Sequence, residues 1–424
     1  MGDLTGYVIV GACAAIVTFL TTPLVRAVAH ARGWVVQPGP RKVHTRPTPQ
    51  LGGVAMFVGF VVAMGLAWRM DRFSGLFDGN SEPLGVLIAA LIMLSVGVRD
   101  DVREVSPPAR ILATVIAAMV LVQFGVTMFY FRVPFFGVLQ LSSDWTPIVT
   151  VVWLLVMTQA INLIDGLDGL AGGIVAIGST SFFVYSWHLT SLGLVSQPNI
   201  GPMIAIITLG VCVGFLPFNA NRATIFMGDG GAYFLGFMLA VSSSVVGGRA
   251  DPVTQGYSGQ TYFFLAPLAI PLVILGVPIF DTAFAILRRV TKRQGFTIAD
   301  KGHLHHRLVN LGHGPRRAVA ILWLWTALLS GFVLYPVFYP KAINLAPFGL
   351  VALVLFLYTV LHPDLHRPAR DQGPVRVGPE GEGHPRGGGH RARPGIGLAV
   401  PRRGRLHCSW FHKLVKPLIH GDFR

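Results

Sequence analysis

The residues that could do chemistry in this chain are carboxylates set beside one another or among glycines. Asp100 and Asp101 are adjacent in RDDVREVSPPAR, residues 99–110. Neighbouring carboxylates repel and invite a cation, either Mg2+ or a Lys/Arg side chain. Mg2+ takes oxygen ligands, typically one or two carboxylates plus substrate phosphates. The plainer reading is a salt-bridge network with Arg99 and Arg103. NLIDGLDGLAGG, residues 162–173, spaces Asn162, Asp165 and Asp168 at i, i+3 and i+6, one face if the segment is helical. No Lys or Arg lies in that stretch, so a metal or ligand is expected to satisfy its two carboxylates unless water does. In FNANRATIFMGDGGAYFLG, residues 218–236, Asp229 stands among Gly228, Gly230 and Gly231. Glycines let a ligand approach the backbone, and the first amides of the next helix favour a phosphate. Asn219 and Phe226 are candidates for holding a planar base by hydrogen bonding and stacking. No GK[ST] follows, so this is not a P-loop.

Two basic segments complete the inventory. RKVHTRPTPQLGG, residues 41–53, carries Arg41, Lys42, His44 and Arg46 beside the stiffening Pro47 and Pro49. It suits an anion such as a pyrophosphate, or it marks only membrane topology. Residues 288–308 hold Arg288, Arg289, Lys292 and Arg293, then ADKGHLHHRL with His303, His305, His306 and Arg307. Three imidazoles raise zinc, but no cysteine supports it and the 305/306 adjacency is awkward for one ion. Phosphate contact is the other reading. Asp281, seven residues before Arg288, reads as a structural pair with it. Paired carboxylates, an Asp among glycines and basic loops together suit Mg2+-assisted phosphoryl transfer on a doubly anionic substrate.

The elements that must position these residues are membrane helices. Of 424 residues, 52% are hydrophobic and 12% charged, about half the charge of a soluble domain. Apolar runs near 4–25, 51–69, 83–98, 110–129, 147–163, 170–189, 202–218, 232–247, 262–288, 318–338 and 344–361 predict an all-α polytopic membrane protein with about eleven transmembrane helices. The N-terminal run lacks a preceding basic region and a cleavage site, so it reads as a first span rather than a cleaved signal. Alternate connectors 26–50, 99–110, 162–169, 217–231 and 288–317 hold 17 Lys/Arg against 5 in the opposite set. The positive-inside rule then places the first set in the cytoplasm, the N-terminus outside and the C-terminus inside. Of 14 acidic residues before position 364, eight fall on that cytoplasmic side.

The net charge of +15 also suggests phosphates or lipid head groups as partners; nucleic acid is not expected. Three widely spaced cysteines make no CxxC pair, which argues against a disulfide framework. From residue 363 the composition shifts to 11 Gly and 8 Pro with 12 Lys/Arg. We expect a membrane domain over 1–362 and a disordered, basic cytoplasmic tail over 363–424. That tail is either simply solvated or in loose contact with anionic lipids.

The five segments, in this order, resemble the polyprenyl-phosphate N-acetylhexosamine-1-phosphate transferases, of the bacterial undecaprenyl-phosphate N-acetylglucosamine-1-phosphate transferase type in glycosyltransferase family 4. The resemblance covers about residues 1–362. It implies transfer of a sugar-1-phosphate from a UDP-sugar to a polyprenyl phosphate with release of UMP, at the cytoplasmic face of the plasma membrane, as a first step of cell-envelope polysaccharide synthesis. It implies Mg2+, or Mn2+ in its place, with Asp229 as metal ligand and Asp100 and Asp101 near metal and lipid phosphate. It further implies Asp165 and Asp168 on the nucleotide-sugar side, with Asn162 among the substrate contacts. Asn219 and Phe226 fall to the uridine, and His303, His305 and His306 to the pyrophosphate and sugar. A homodimer is implied as well. HLHHRL is more similar to the N-acetylglucosamine enzymes than to phospho-N-acetylmuramoyl-pentapeptide transferase, which stays the alternative beside other UDP-HexNAc donors. A membrane transporter is the reading from another class; the acids gather at span ends and no matching halves are seen. Arg110, Thr114, Gln159, Arg222, Thr224 and Ala232 depart from residues common in the family, which bears on sugar selectivity rather than reaction class. Whether Asp100 acts as a base or positions a substrate, or an aspartyl-phosphate forms, is open from sequence.

Overall fold

The computed structural model describes residues 4–37, 47–127, 130–133, 137–193, 198–247, 308, 313–339 and 344–361. Within them the chain is a helical bundle. Its helices are α1 (Leu4–Ala31), α2 (Gly52–Trp68), the short α3 (Ser74–Phe77), α4 (Glu82–Val102), α5 (Pro107–Gln123), α6 (Trp145–Ile164), α7 (Leu170–Ser191), α8 (Gly201–Asn219) and α9 (Gly228–Gly247). Two more follow, labelled α10 (Pro315–Phe338) and α11 (Ala346–Leu361). Two small antiparallel pairs accompany them. β1 (Val35–Val36) aligns Val35 with Pro49 of β2 (Thr48–Pro49), and β3 (Tyr130–Val133) pairs with β4 (Gly137–Gln140).

Seven of these helices are long and apolar enough to cross a membrane. The count becomes eight if α2 and the segment Asp71–Phe77, bent by 95° from it, form one span. The runs near 110–129 and 344–361 fall on helices of 17 and 16 residues, short of the ~20 a perpendicular crossing takes. The run at 262–288 lies outside the described residues. The structure is therefore a multi-pass, all-α membrane protein.

Packing follows the logic of helices in lipid. A chain in hydrocarbon must satisfy its backbone internally, so the apolar runs become helices, and small residues bring those helices together. α1 buries Gly11, Ala14 and Thr18 toward α2 and α8, and Gly6 against Arg72 and Phe73, while Ile16, Leu20 and Leu24 face outward. Buried hydroxyls return to their own helix: Thr22 donates to Thr18 O at 2.6 Å and Thr158 to Leu154 O at 2.7 Å. α9 is enclosed almost throughout, contacting α2, α4, α6, α7 and α8. Trp153 of α6 donates to Ser243 Oγ of α9 at 3.0 Å. At the far end of α9, Asn199 Nδ2 donates to Val245 O at 3.1 Å, and Asn199 Oδ1 accepts from Gly201 N at 2.8 Å. The most buried helix thus carries Asp229 in its first turn.

Candidate functional site

One end of the bundle is laced together by backbone. Phe226 N donates to Pro49 O, Gly52 N to Phe226 O and Gly53 N to Met227 O, each at 2.9 Å. The first amides of α2 therefore bond to the strand-like approach to α9. Leu51, just before α2, sits at a left-handed φ of 88° to make that entry. A Cβ on Gly53 would overlap the Gly231 backbone, and one on Gly97 would overlap Gly230. The two glycines form a notch between α2 and α4 that seats the start of α9. The apolar runs predict an end of α4 near 98 and a start of α9 near 232. Both helices instead run through the polar residues, because a helix continues past the apolar run where tertiary bonds hold its ends.

That extension decides what each carboxylate does. Asp101 Oδ1 accepts from Asp229 N at 2.9 Å and its Oδ2 from Gly230 N at 3.1 Å. The first turn of α9 was expected to hold a phosphate. It holds the Asp101 carboxylate, since an anion already bonded to those amides fills the position. Gln50 Nε2 donates to the Asp101 carbonyl from the other side. Asp100 points elsewhere. Its Oδ1 accepts from Val105 N at 2.8 Å. Arg110 Nε lies 2.9 Å from Oδ2, but its N–H is directed to Val105 O at 2.9 Å. The attraction is thus ionic, and the buried Oδ2 has no hydrogen-bond donor. The ion partner of Asp100 is Arg110, not Arg99 or Arg103. The Asp229 carboxyl comes within hydrogen-bonding reach of Asp100, and the buried Tyr233 hydroxyl within reach of Arg110.

The turn between α6 and α7 closes the other side. Asn162, Asp165 and Asp168 do not share one helical face. Asn162 is in the last turn of α6, Asp165 follows its end, and Asp168 lies in the connecting turn. Gly169, at φ 74°, lets the chain reverse there. Asp168 Oδ2 accepts from Arg222 N at 3.2 Å and Ala223 N at 2.9 Å. Asn221 and Arg222 are both left-handed, at φ 47° and 72°, so Asp168 holds a strained turn. Asn219 reciprocates: its Oδ1 accepts from Gly169 N at 3.0 Å and its Nδ2 donates to Ile225 O at 3.1 Å. It is 2% exposed. Assigned by resemblance to the uridine, Asn219 here joins two loops, while the partly buried Phe226 remains beside them. Arg316 of α10 donates from Nε to Asn221 Oδ1, and Trp323 Nε1 to Leu170 O at 3.3 Å. The Asp165 carboxyl is pushed up to about 7, by burial first and then by the charges of Asp101 and Asp168.

The structure therefore gathers Asp100, Asp101, Asp165, Asp168, Asn219, Phe226 and Asp229 at one end of the bundle. Arg41, Lys42, His44, Asp281, His303, His305, His306 and Arg307 lie outside the described residues. Tyr233 and Gln50 were not singled out from sequence. Tyr233 stands four residues after Asp229, on the same helical face, which could have drawn attention to it; Gln50 offered no such signal. Among the described residues no three His, Cys, Asp or Glu side chains converge as a metal cage. Mg2+ does not need three, since substrate and water oxygens complete its shell. Asp100 and Asp229 bring two carboxyl groups within hydrogen-bonding reach of each other, an oxygen-donor pair that suits such an ion, with Arg110 at 2.9 Å from Asp100 Oδ2 as the cation already beside them.

The model of the glycosyl transferase family 4 matches residues 83–247, the stretch from α4 to the end of α9. The chain is 32% identical over 366 residues to the decaprenyl-phosphate N-acetylglucosaminephosphotransferase of Mycolicibacterium smegmatis, covering 85% of this chain and 89% of that one. The chain belongs to this family. It is also 34% identical over 329 residues to the enzyme of the same name from Mycobacterium tuberculosis, covering 76% and 80% of the two chains. Identity is 36% over 314 residues to the probable undecaprenyl-phosphate N-acetylglucosaminyl 1-phosphate transferase of Bacillus subtilis, covering 73% and 80%. The family match begins at α4 and ends with α9, and so includes Asp100, Asp101, Asp165, Asp168 and Asp229.

Proposed function

We propose that the chain transfers N-acetylglucosamine-1-phosphate from UDP-N-acetylglucosamine to a polyprenyl phosphate and releases UMP, at the cytoplasmic face of the membrane. The observation that carries this reading is the convergence of α4, the α6–α7 turn and α9, which puts Asp100, Asp165 and Asp229 at one membrane end of an apolar bundle. The relatives' names supply the reaction: each acts on a prenyl phosphate and N-acetylglucosamine phosphate. The excess of Lys/Arg in alternate connectors of the sequence supports the cytoplasmic orientation.

The reaction asks little covalent chemistry of the protein. A lipid phosphate is already an oxyanion near neutral pH. One of its oxygens forms a bond to the β-phosphorus of the UDP-sugar. The bond from that phosphorus to the bridging oxygen breaks, and UMP leaves with the electron pair. Charge gathers on both phosphate groups, so catalysis is mainly positioning and electrostatic stabilisation. Arg110, held at the first turn of α5, supplies fixed positive charge beside Asp100. Asp168 and Asn219 fix the two loops that flank Phe226, the surface we assign to the uracil ring. A bound Mg2+, for which Asp100 and Asp229 are the donors, would offset pyrophosphate charge. The outward apolar faces of the helices give the isoprenoid tail a matching surface.

UMP release by the purified protein, given undecaprenyl phosphate, UDP-N-acetylglucosamine and Mg2+, tests this. Release that needs all three, and that Asp229→Asn abolishes, supports donor, acceptor and metal together. Release only with UDP-N-acetylmuramoyl-pentapeptide would move the chain to the peptidoglycan branch. Absence of release with either donor, from folded protein, would overturn the reading.

A further inference from the structure

We infer that the two adjacent aspartates divide the work: Asp101 is a positioning residue, the side-chain N-cap of α9 lent by α4, and Asp100 alone of the pair faces the reacting groups. The inference rests on the function proposed above only for its activity readout. Consecutive residues on a helix point about 100° apart, so a single pocket cannot receive both side chains equally. Here the division is visible. Each Asp101 oxygen already accepts a backbone amide of the first turn of α9, at 2.9 Å and 3.1 Å. The cap is tight: Gly228 has φ 71°, and a Cβ there would come 2.6 Å from Asp101 Oδ1. Gln50 fixes the Asp101 backbone from the opposite side. Asp100, in contrast, is turned to other partners: its Oδ1 accepts from Val105 N at 2.8 Å, its Oδ2 lies 2.9 Å from the Arg110 guanidinium, and Asp100 rather than Asp101 lies within hydrogen-bonding reach of the Asp229 side chain. The influence of Asp101 on the reaction therefore runs through where it sets the backbone of Asp229.

A cap and a reacting carboxylate respond differently to substitution. Asn keeps one of the two oxygens with which Asp101 accepts amides, Ser offers a single oxygen on a shorter side chain, and Ala offers none. A group acting through its negative charge is lost to Asn and Ala alike. The test uses the full chain in detergent with Asp101→Asn, Asp101→Ser and Asp101→Ala, beside Asp229→Asn. UMP release resolves kcat from the KM for UDP-N-acetylglucosamine, and thermal unfolding is followed in parallel. We expect Asp101→Asn, which keeps one accepting oxygen, to unfold above Asp101→Ala and to keep kcat within about tenfold of wild type with KM little changed, with Asp101→Ser between Asn and Ala. Ala at 101 lowers both unfolding temperature and kcat. Asp229→Asn remains folded and loses kcat by orders of magnitude. If Asp101→Asn folds like wild type yet is as inactive as Asp229→Asn, Asp101 acts through its charge and the inference fails. It fails too if Asn, Ser and Ala at 101 unfold at one temperature. Should wild type release no UMP from any donor, the functional reading falls, and the unfolding order at 101 still decides the cap.

Discussion

At the scale of the residue, carboxylates with similar sequence surroundings have different employment. Asp101 and Asp168 each accept two backbone amides of a neighbouring segment, while Asp100 pairs with Arg110 within reach of the Asp229 carboxyl, and Asp165 lies in the field of Asp101 and Asp168. Replacing Asp229 or Asp100 by Asn is therefore expected to lower kcat on the order of 100-fold or more, as loss of a charge-stabilising group in a dry site does. The steady-state rate of UMP release measures it. Asp165 yields a prediction about pH. Its carboxyl is raised to about 7, against ~4 in an unfolded chain. Between those values the folded state holds the extra proton, so ionisation disfavours folding increasingly as pH rises and fully above about 7. Asp165→Asn removes that cost. Its gain in unfolding temperature over wild type, measured without divalent cations, is expected to be larger at pH 8.5 than at pH 5. An equal gain at both would mean the Asp165 environment does not resist charge. Residue types at this scale were legible in the sequence: glycine-flanked aspartates in an apolar chain announce a site. Which oxygen meets which amide was not, because those bonds join residues 55 and 128 positions apart.

At the scale of the element, the decisive contact is between a helix start and a notch. The backbone bonds from Gly52 and Gly53 to 226–227 bring α2 against α9 so closely that position 53 has no room for a methyl group. Gly53→Ala must push α9 outward, taking Asp229 with it. Overpacking of this kind costs about 1–3 kcal/mol. We expect a lower unfolding temperature together with a kcat loss larger than that of a remote control such as Gly65→Ala, whose added Cβ meets nothing within 4 Å. Comparing the two variants separates local displacement from a general penalty on helical glycine. The hydrophobic runs foretold the helices themselves to within a few residues: 51–69 against Gly52–Trp68, and 147–163 against Trp145–Ile164. They failed at the polar ends of α4 and α9, where membership in the helix depends on the cap and notch rather than on apolar composition. The same failure hid the break after Ile164, where glycine freedom overrode an i, i+3, i+6 spacing.

At the scale of the whole molecule, the bundle has two unlike ends. One holds the carboxylates and the backbone lacing of 49–53 with 226–227; the other is closed by Asn199 against the end of α9. In the sequence, connectors 26–50, 99–110, 162–169, 217–231 and 288–317 hold 17 Lys/Arg against 5 in the opposite set, so the expected outcome is that the site end faces the cytoplasm. Single cysteines can read this directly in a background where Cys13, Cys212 and Cys408 are serine. Asp78 and Ser142 belong to connectors of the far end, and Ser106 to the site end; all three are exposed. A membrane-impermeant thiol reagent added to intact cells is expected to label Asp78→Cys and Ser142→Cys, and to label Ser106→Cys only after permeabilisation. The reverse pattern would put Asp100, Asp165 and Asp229 outside, away from a cytosolic nucleotide-sugar. Labelling of Asp78→Cys and Ser106→Cys from the same side would mean that α4 does not cross the membrane, and would withdraw the span count on which the orientation depends.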